Sequence, residues 1–233
     1  MELNKPDFNK AYECACEVLV CAEKIKYFPI SVDDLINDMD LRLISYSKAE
    51  KELEIPGYLW KSKDAELREI LPGVYVIFYN DLIFPKSRIL FSIIHEIGHF
   101  YMNHDCNALC NLSKSCPDVF HALYNKYELE ANFFAAELLM PDIIIKTLIK
   151  RGCKLSEDFL IEKFGVSNEA ASIKIKLLRK RYEIINRNDS ISLDDILLMK
   201  FQNFINNISP KRKSNYFLLE DEYEKQRLRD SWQ

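Results

Sequence analysis

Apolar residues recur at helical spacing along most of this chain and alternate at strand spacing in two short stretches near its first third. Ala11, Ala15, Val18, Leu19 and Ala22 fall on one side of a helix that Asp7 can cap and that should run to about Lys26, before Pro29 stops it. Ser31 and Asp34 resemble a capping box for a short helix through Met39. LRLISY, residues 41–46, alternates as a strand. Residues 50–69 are charged and without a clear period, so no element is predicted there. Pro72-Gly73 is a turn signal, and VYVIFY, residues 74–79, is a second strand.

Helices dominate the rest. Pro85 opens a long helix over about 86–103, and residues 105–117 read as a loop. A second long helix is expected from about Asp118 to Met140, with a break near Asn125, and Pro141 ends it. Residues 142–150 form a short helix. Residues 156–164 and 167–185 form a helix pair around Gly165, and 193–208 is helical again. The pattern predicts an α+β class: a small sheet, then a helical C-terminal part. The expected units are 1–150, a helix-turn-helix-like segment at 151–208, and a polar tail at 209–233.

Composition narrows the function classes. With 48% hydrophobic and 29% charged residues, the 233-residue chain reads as globular, and a net charge of −4 argues against a bulk polyanion binder. Seven cysteines, an odd number, follow a polar start (MELNKPDFNK), and no run approaches the ~18 apolar residues of a membrane span. Reduced thiols, a cytoplasmic location and no membrane association are expected.

The chemistry concentrates at HEIGH, residues 95–99. Residues four apart share a helix face, so His95 and His99 can present two imidazoles to one Zn²⁺. Glu96, rotated by about 100°, reaches the open coordination position and can take a proton from water there. The competing account makes the histidines core residues bonded to carbonyls. Two features oppose it. The surrounding helix, ILFSIIHEIGHFYM, is strongly apolar, and Gly98 costs ~1 kcal/mol mid-helix unless something approaches it closely. A third ligand is sought in YELEANFFAAELLMP, residues 127–141. Glu128 shares a small apolar face with Ala131, Asn132, Ala135 and Leu139, and is expected to be the buried carboxylate. Asn132 can support a ligand from behind. Glu130 and Glu137 share another face and read as solvated, with Glu130 the fallback ligand.

RILFSIIHEIGHFYMNH followed by YELEANFFAAELLMP resembles the ImmA/IrrE family of metallopeptidases over roughly residues 30–180. The family pattern is Arg-x-x-Phe, HExGH, Glu-x-x-Ala-Asn-x-Phe-Ala and Leu-Leu-Met-Pro. The resemblance implies a zincin-like core with an HExxH active-site helix and one Zn²⁺ per chain. It implies His95, His99 and Glu128 as metal ligands, and Glu96 as the catalytic base. It also implies a zinc metalloendopeptidase whose protein substrate is a helix-turn-helix repressor, of the kind that silences mobile-element or stress genes.

Three features stand beside that reading. LSEDFLIEKFGVSNEAASIKIKLLR, residues 155–179, looks like a helix-turn-helix, but its second helix opens with Glu169 and its basic residues come late. That favours packing or substrate docking through Glu169, Lys174, Lys176 and Arg179 to Arg181 over DNA binding. A transcriptional regulator on a zincin-like scaffold is the alternative function. His104, Cys106, Cys110, Cys116 and His121 could make a second metal site, but without a Cys-x-x-Cys pair free thiols are the preferred account. Cys14, Cys16 and Cys21 are expected to pack as small hydrophobes. Tyr101, His104, His121, Tyr124 and Tyr127 are unranked candidates for stabilising an oxyanion.

Overall fold

The Asp7 carboxylate accepts from the Lys10 backbone N–H at 2.9 Å and caps the first helix, α1 (Phe8–Cys21). Its buried stripe is the expected one, Ala11, Ala15, Val18 and Leu19, although the helix ends before Lys26. The computed structural model describes residues 5–37, 39, 41–52, 64–104, 116–181 and 193–209. Cys106, Cys110 and the polar tail expected after Ser209 lie outside these residues.

A short helix, α2 (Val32–Asn37), leads into β1 (Leu41–Ser45), and Tyr46, expected to end the strand, instead opens α3 (Tyr46–Glu52). Next come β2 (Ala65–Leu71) and β3 (Val74–Tyr79), joined at Pro72-Gly73. The sheet order is β1-β3-β2. β1 runs parallel to β3, with Leu43 opposite Ile77, and β2 runs antiparallel, with Leu67 opposite Ile77. β2 went unpredicted because Glu69 and Ile70 break the alternation that Ala65 to Arg68 begin, leaving a charged stretch without a clear period. Glu66 and Arg68, two apart on one face, neutralise each other at 2.7 Å.

The remaining helices are α4 (Lys86–Tyr101), α5 (Pro117–Leu139), α6 (Asp142–Lys150), α7 (Glu157–Phe164), α8 (Asn168–Arg181), α9 (Leu193–Lys200) and α10 (Gln202–Ile208). α5 passes Asn125 without the expected break. The helix expected over 193–208 is two, divided at a fully buried Phe201. Together the ten helices and three strands among the described residues form an α+β, zincin-like architecture. No described helix is long and apolar enough to cross a membrane.

One apolar cluster runs from Ala11 to Ile205. α5 lies between α1 and α4, with Ile94, Ile97, Phe134 and Leu138 fully enclosed. Phe28 joins the C-terminal helices to this core, with ring centroids 5.0 Å from Phe164, 4.8 Å from Phe201 and 5.1 Å from Phe204. At the turn between α7 and α8, Gly165 has φ 68°, and a Cβ there would lie 2.8 Å from Pro29. Glycine at this turn therefore serves both its left-handed backbone and its seat on Pro29.

Two surface expectations fail in this region. Glu137 and Lys174 are buried, and the Lys174 Nζ lies 2.6 Å from Glu137 and 2.7 Å from Asp142. Lys174 is thus a strut between α8, α5 and the start of α6, not a docking residue. Glu169 and Lys176 are exposed as expected.

Candidate metal centre

α4 carries His95, Glu96 and His99, and α5, packed against it, carries Glu128 and Asn132. Close packing is what makes them meet. A Cβ on Gly98 would lie 3.0 Å from the Phe134 ring and 3.3 Å from the Ala131 Cα, so the glycine lets the backbones of α4 and α5 approach. One imidazole nitrogen each from His95 and His99 and a carboxylate oxygen of Glu128 lie within 4.8 Å of one another. Glu128 lies 3.4 Å from the His95 Nε2 and 3.6 Å from the His99 Nε2.

The hydrogen bonds behind the histidines decide which nitrogen carries the proton. His95 Nδ1 lies 3.1 Å from the Asn132 Oδ1, an acceptor, so Nδ1 bears the hydrogen and Nε2 a lone pair. His99 Nδ1 lies 2.9 Å from the His104 Nδ1, and the His104 Nε2 lies 2.9 Å from the Glu130 carboxylate. Burial, the largest cause, pushes His104 down to about 3, so it is neutral at pH 7. A neutral His104 that donates to Glu130 must accept at Nδ1. His99 Nδ1 then donates, and its Nε2 also presents a lone pair. The two Nε2 atoms are 2.9 Å apart. Two lone pairs and a carboxylate facing one point repel unless a cation lies among them, so the donor set fits a metal ion.

Charge distribution agrees with that fit. When a proton in place of a metal occupies a histidine Nε2, the hydrogen bond it makes to Glu128 holds that carboxyl well below the usual carboxylate range. Burial opposes a charge on His95, but Glu128, Glu96 and Asn132 outweigh it and push its pKa up, so proton and metal compete for Nε2. Glu96 points towards the sheet edge and accepts from the Leu67 N–H of β2 at 2.9 Å. Burial raises its pKa against the pull of both histidines.

Expected roles on α5 are redistributed. The Glu128 side chain is 33% exposed, whereas that of Glu130 is 3% exposed. The expectation of a buried Glu128 and a solvated Glu130 is therefore reversed. The carboxylate that faces a cleft stays open to solvent, and the one enclosed behind it is fully hydrogen-bonded. The open cleft has a volume of about 1190 Å³ and is lined by β2, α4 and α5. His104, Tyr124 and Tyr127 line it among the expected oxyanion candidates, whereas Tyr101 and His121 do not. Tyr75, not singled out from sequence, lines it as well. Cys116 is an exposed free thiol, Cys16 is buried and Cys21 is exposed, so not all the N-terminal thiols pack inside. The signals for Glu130 and His104 were present as a histidine five residues past His99 and a glutamate two past Glu128, but nothing in the spacing joins them.

No match was found among curated proteins. Residues 59–176, half of the chain, match the family model described as the IrrE N-terminal-like domain, a stretch that holds both α4 and the α5 carboxylates, and the chain therefore belongs to the ImmA/IrrE family of metallopeptidases.

Proposed function

We propose that this chain is a zinc-dependent endopeptidase in which His95, His99 and Glu128 hold one Zn²⁺ and Glu96 is the catalytic base. The observation that carries this reading is the meeting of two imidazole lone pairs and one carboxylate at the floor of an open cleft. When bound, zinc polarises the scissile carbonyl and acidifies the attacking water. Glu96, next to the ligands and anchored to the cleft edge through Leu67, takes the water proton and delivers it to the departing amide nitrogen. Asn132 holds His95 in the tautomer that this chemistry needs.

The proposed substrate is a cytoplasmic helix-turn-helix repressor, as the family resemblance implies. The helices after Pro141 supply a docking surface remote from the scissile bond, whose binding energy positions the substrate. Glu169 at the start of α8 is near enough to Arg88 at the start of α4 for their charges to interact, which brings this surface close to the catalytic helix. The loss of Lys174 to the interior, together with the acidic Glu169, weakens the DNA-binding alternative.

Co-expression with a helix-turn-helix repressor, beginning with any encoded beside the gene, tests the proposal. The wild-type chain should yield discrete repressor fragments and purify with about one zinc equivalent. Repressor cleavage that persists in a His95→Ala, His99→Ala variant without metal would overturn it.

A further inference from the structure

His104 lies between His99 and Glu130, at the cleft wall, and Glu130 is enclosed beyond it. The Glu130 and His104 side chains are 3% and 2% exposed. Glu130 Oε1 accepts the Asp7 backbone N–H at 2.6 Å, and its Oε2 faces the His104 Nε2 at 2.9 Å. Lys126 approaches the same carboxylate at 3.9 Å. The Tyr127 ring stacks on His104 at a centroid distance of 4.2 Å and an interplanar angle of 7°, fixing the plane of the imidazole. The Asp7 amide cannot rotate or change its proton, so Oε1 is committed to it. Oε2 then fixes a hydrogen on the His104 Nε2, and His104 fixes one on the His99 Nδ1.

We propose that Glu130 and His104 are positioning residues that lock His99 in the metal-ligating tautomer, and that the start of α1 at Asp7 anchors this relay. The inference rests on the metal reading of His99 given above. It predicts that the order Asp7 N–H, Glu130, His104, His99 runs with every donor facing an acceptor. It also makes α1, which supplies no ligand, part of the metal site. Lys10 adds a second tie, donating from Nζ to the Met102 carbonyl just past α4 at 3.1 Å.

The substitutions separate orientation from bulk. His104→Asn can keep an acceptor near the Nδ1 position, whereas His104→Phe keeps the volume and the stacking without one. Zinc affinity of the full-length protein, measured by competition with a chromophoric chelator, should fall about 10–100-fold in His104→Phe and in Glu130→Ala. The His104→Asn affinity should remain within about threefold of wild type by the same measure. Thermal midpoints of the metal-free proteins report any loss of packing separately. A His104→Phe protein that folds and binds zinc as wild type does would overturn the relay alone, whereas a wild-type protein that binds no zinc would overturn the metal reading as well. Imidazole ¹⁵N spectra of the zinc-loaded wild type need no variant. They should show the hydrogen of His104 on Nε2 and that of His99 on Nδ1, and a hydrogen on the His104 Nδ1 would refute the proposal.

Discussion

Two polar clusters share helix α5, one enclosed and one at a cleft, and they close their charges differently. Around Glu137 the cluster is complete: Lys174 reaches both Glu137 and Asp142, the Asp142 N–H donates to Glu137 at 3.1 Å, and Lys146 lies 3.5 Å from Asp142. Two carboxylates meet two ammonium groups, with nothing left to bind. One to three turns earlier, around Glu128, three electron-rich atoms face one another, and the nearby hydrogens are directed outward to Asn132 and His104. A polar cluster that satisfies itself holds elements together, while one whose unmet demand faces a cleft calls for a ligand.

The sharpest way to break this comparison is to delete the demand. Substituting both His95 and His99 with Ala should abolish stoichiometric zinc, read by elemental analysis, while the fold persists by circular dichroism. Changing Glu96 to Gln should leave zinc in place and lower repressor cleavage by about 10²–10⁴-fold, measured by fragment appearance. Equal cleavage by the two proteins would remove Glu96 from the chemistry.

Lys174→Met tests the closed cluster. It leaves Glu137 and Asp142 confronting each other in the interior, and urea titration should show a loss of about 3–5 kcal/mol. Zinc affinity of the folded protein should be unchanged; a variant that weakened zinc without losing stability would merge the two clusters. Asn132→Ala should lower zinc affinity about 10–100-fold, because His95 loses the acceptor that sets its tautomer.

The smallest effect is expected at Gly98. Alanine there gains ~1 kcal/mol of helix propensity, but crowding in a closed interface costs about 1–3 kcal/mol. The Ala131 backbone at 3.3 Å and the enclosed Phe134 ring leave little room to relax, so Gly98→Ala should be mildly destabilising and should weaken zinc binding by parting α4 from α5. A more stable variant with full affinity would show that the close approach is not needed.

What was legible in the sequence follows from how local each signal is. The spacing of His95, Glu96 and His99 needs only one helix, and that helix formed. Gly98 announced a close neighbour, and Phe134 and Ala131 supply it. The environments of the α5 carboxylates were misread, because periodicity assigns faces but not what covers them. Glu130 is covered by a segment 123 residues away at Asp7, and Glu137 by a lysine 37 residues on. β2 was hidden by the shortness of its pattern, since Ala65, Glu66, Leu67 and Arg68 alternate for only four residues before Glu69 and Ile70 break the period.

The contact between the two ends of the described fold has a kinetic consequence. Lys200, closing α9, donates to the carbonyls of Leu19, Val20 and Ala22 at the end of α1, and the Asp194 carboxylate accepts from the Tyr12 hydroxyl. Fraying of either helix therefore uncovers polar groups on the other, so α1 and α9 should open cooperatively. Amide protons of α1 and α9 should exchange with solvent at matching rates. Lys200→Met should speed exchange in α1, whose last carbonyls receive this donor only once residue 200 has been made.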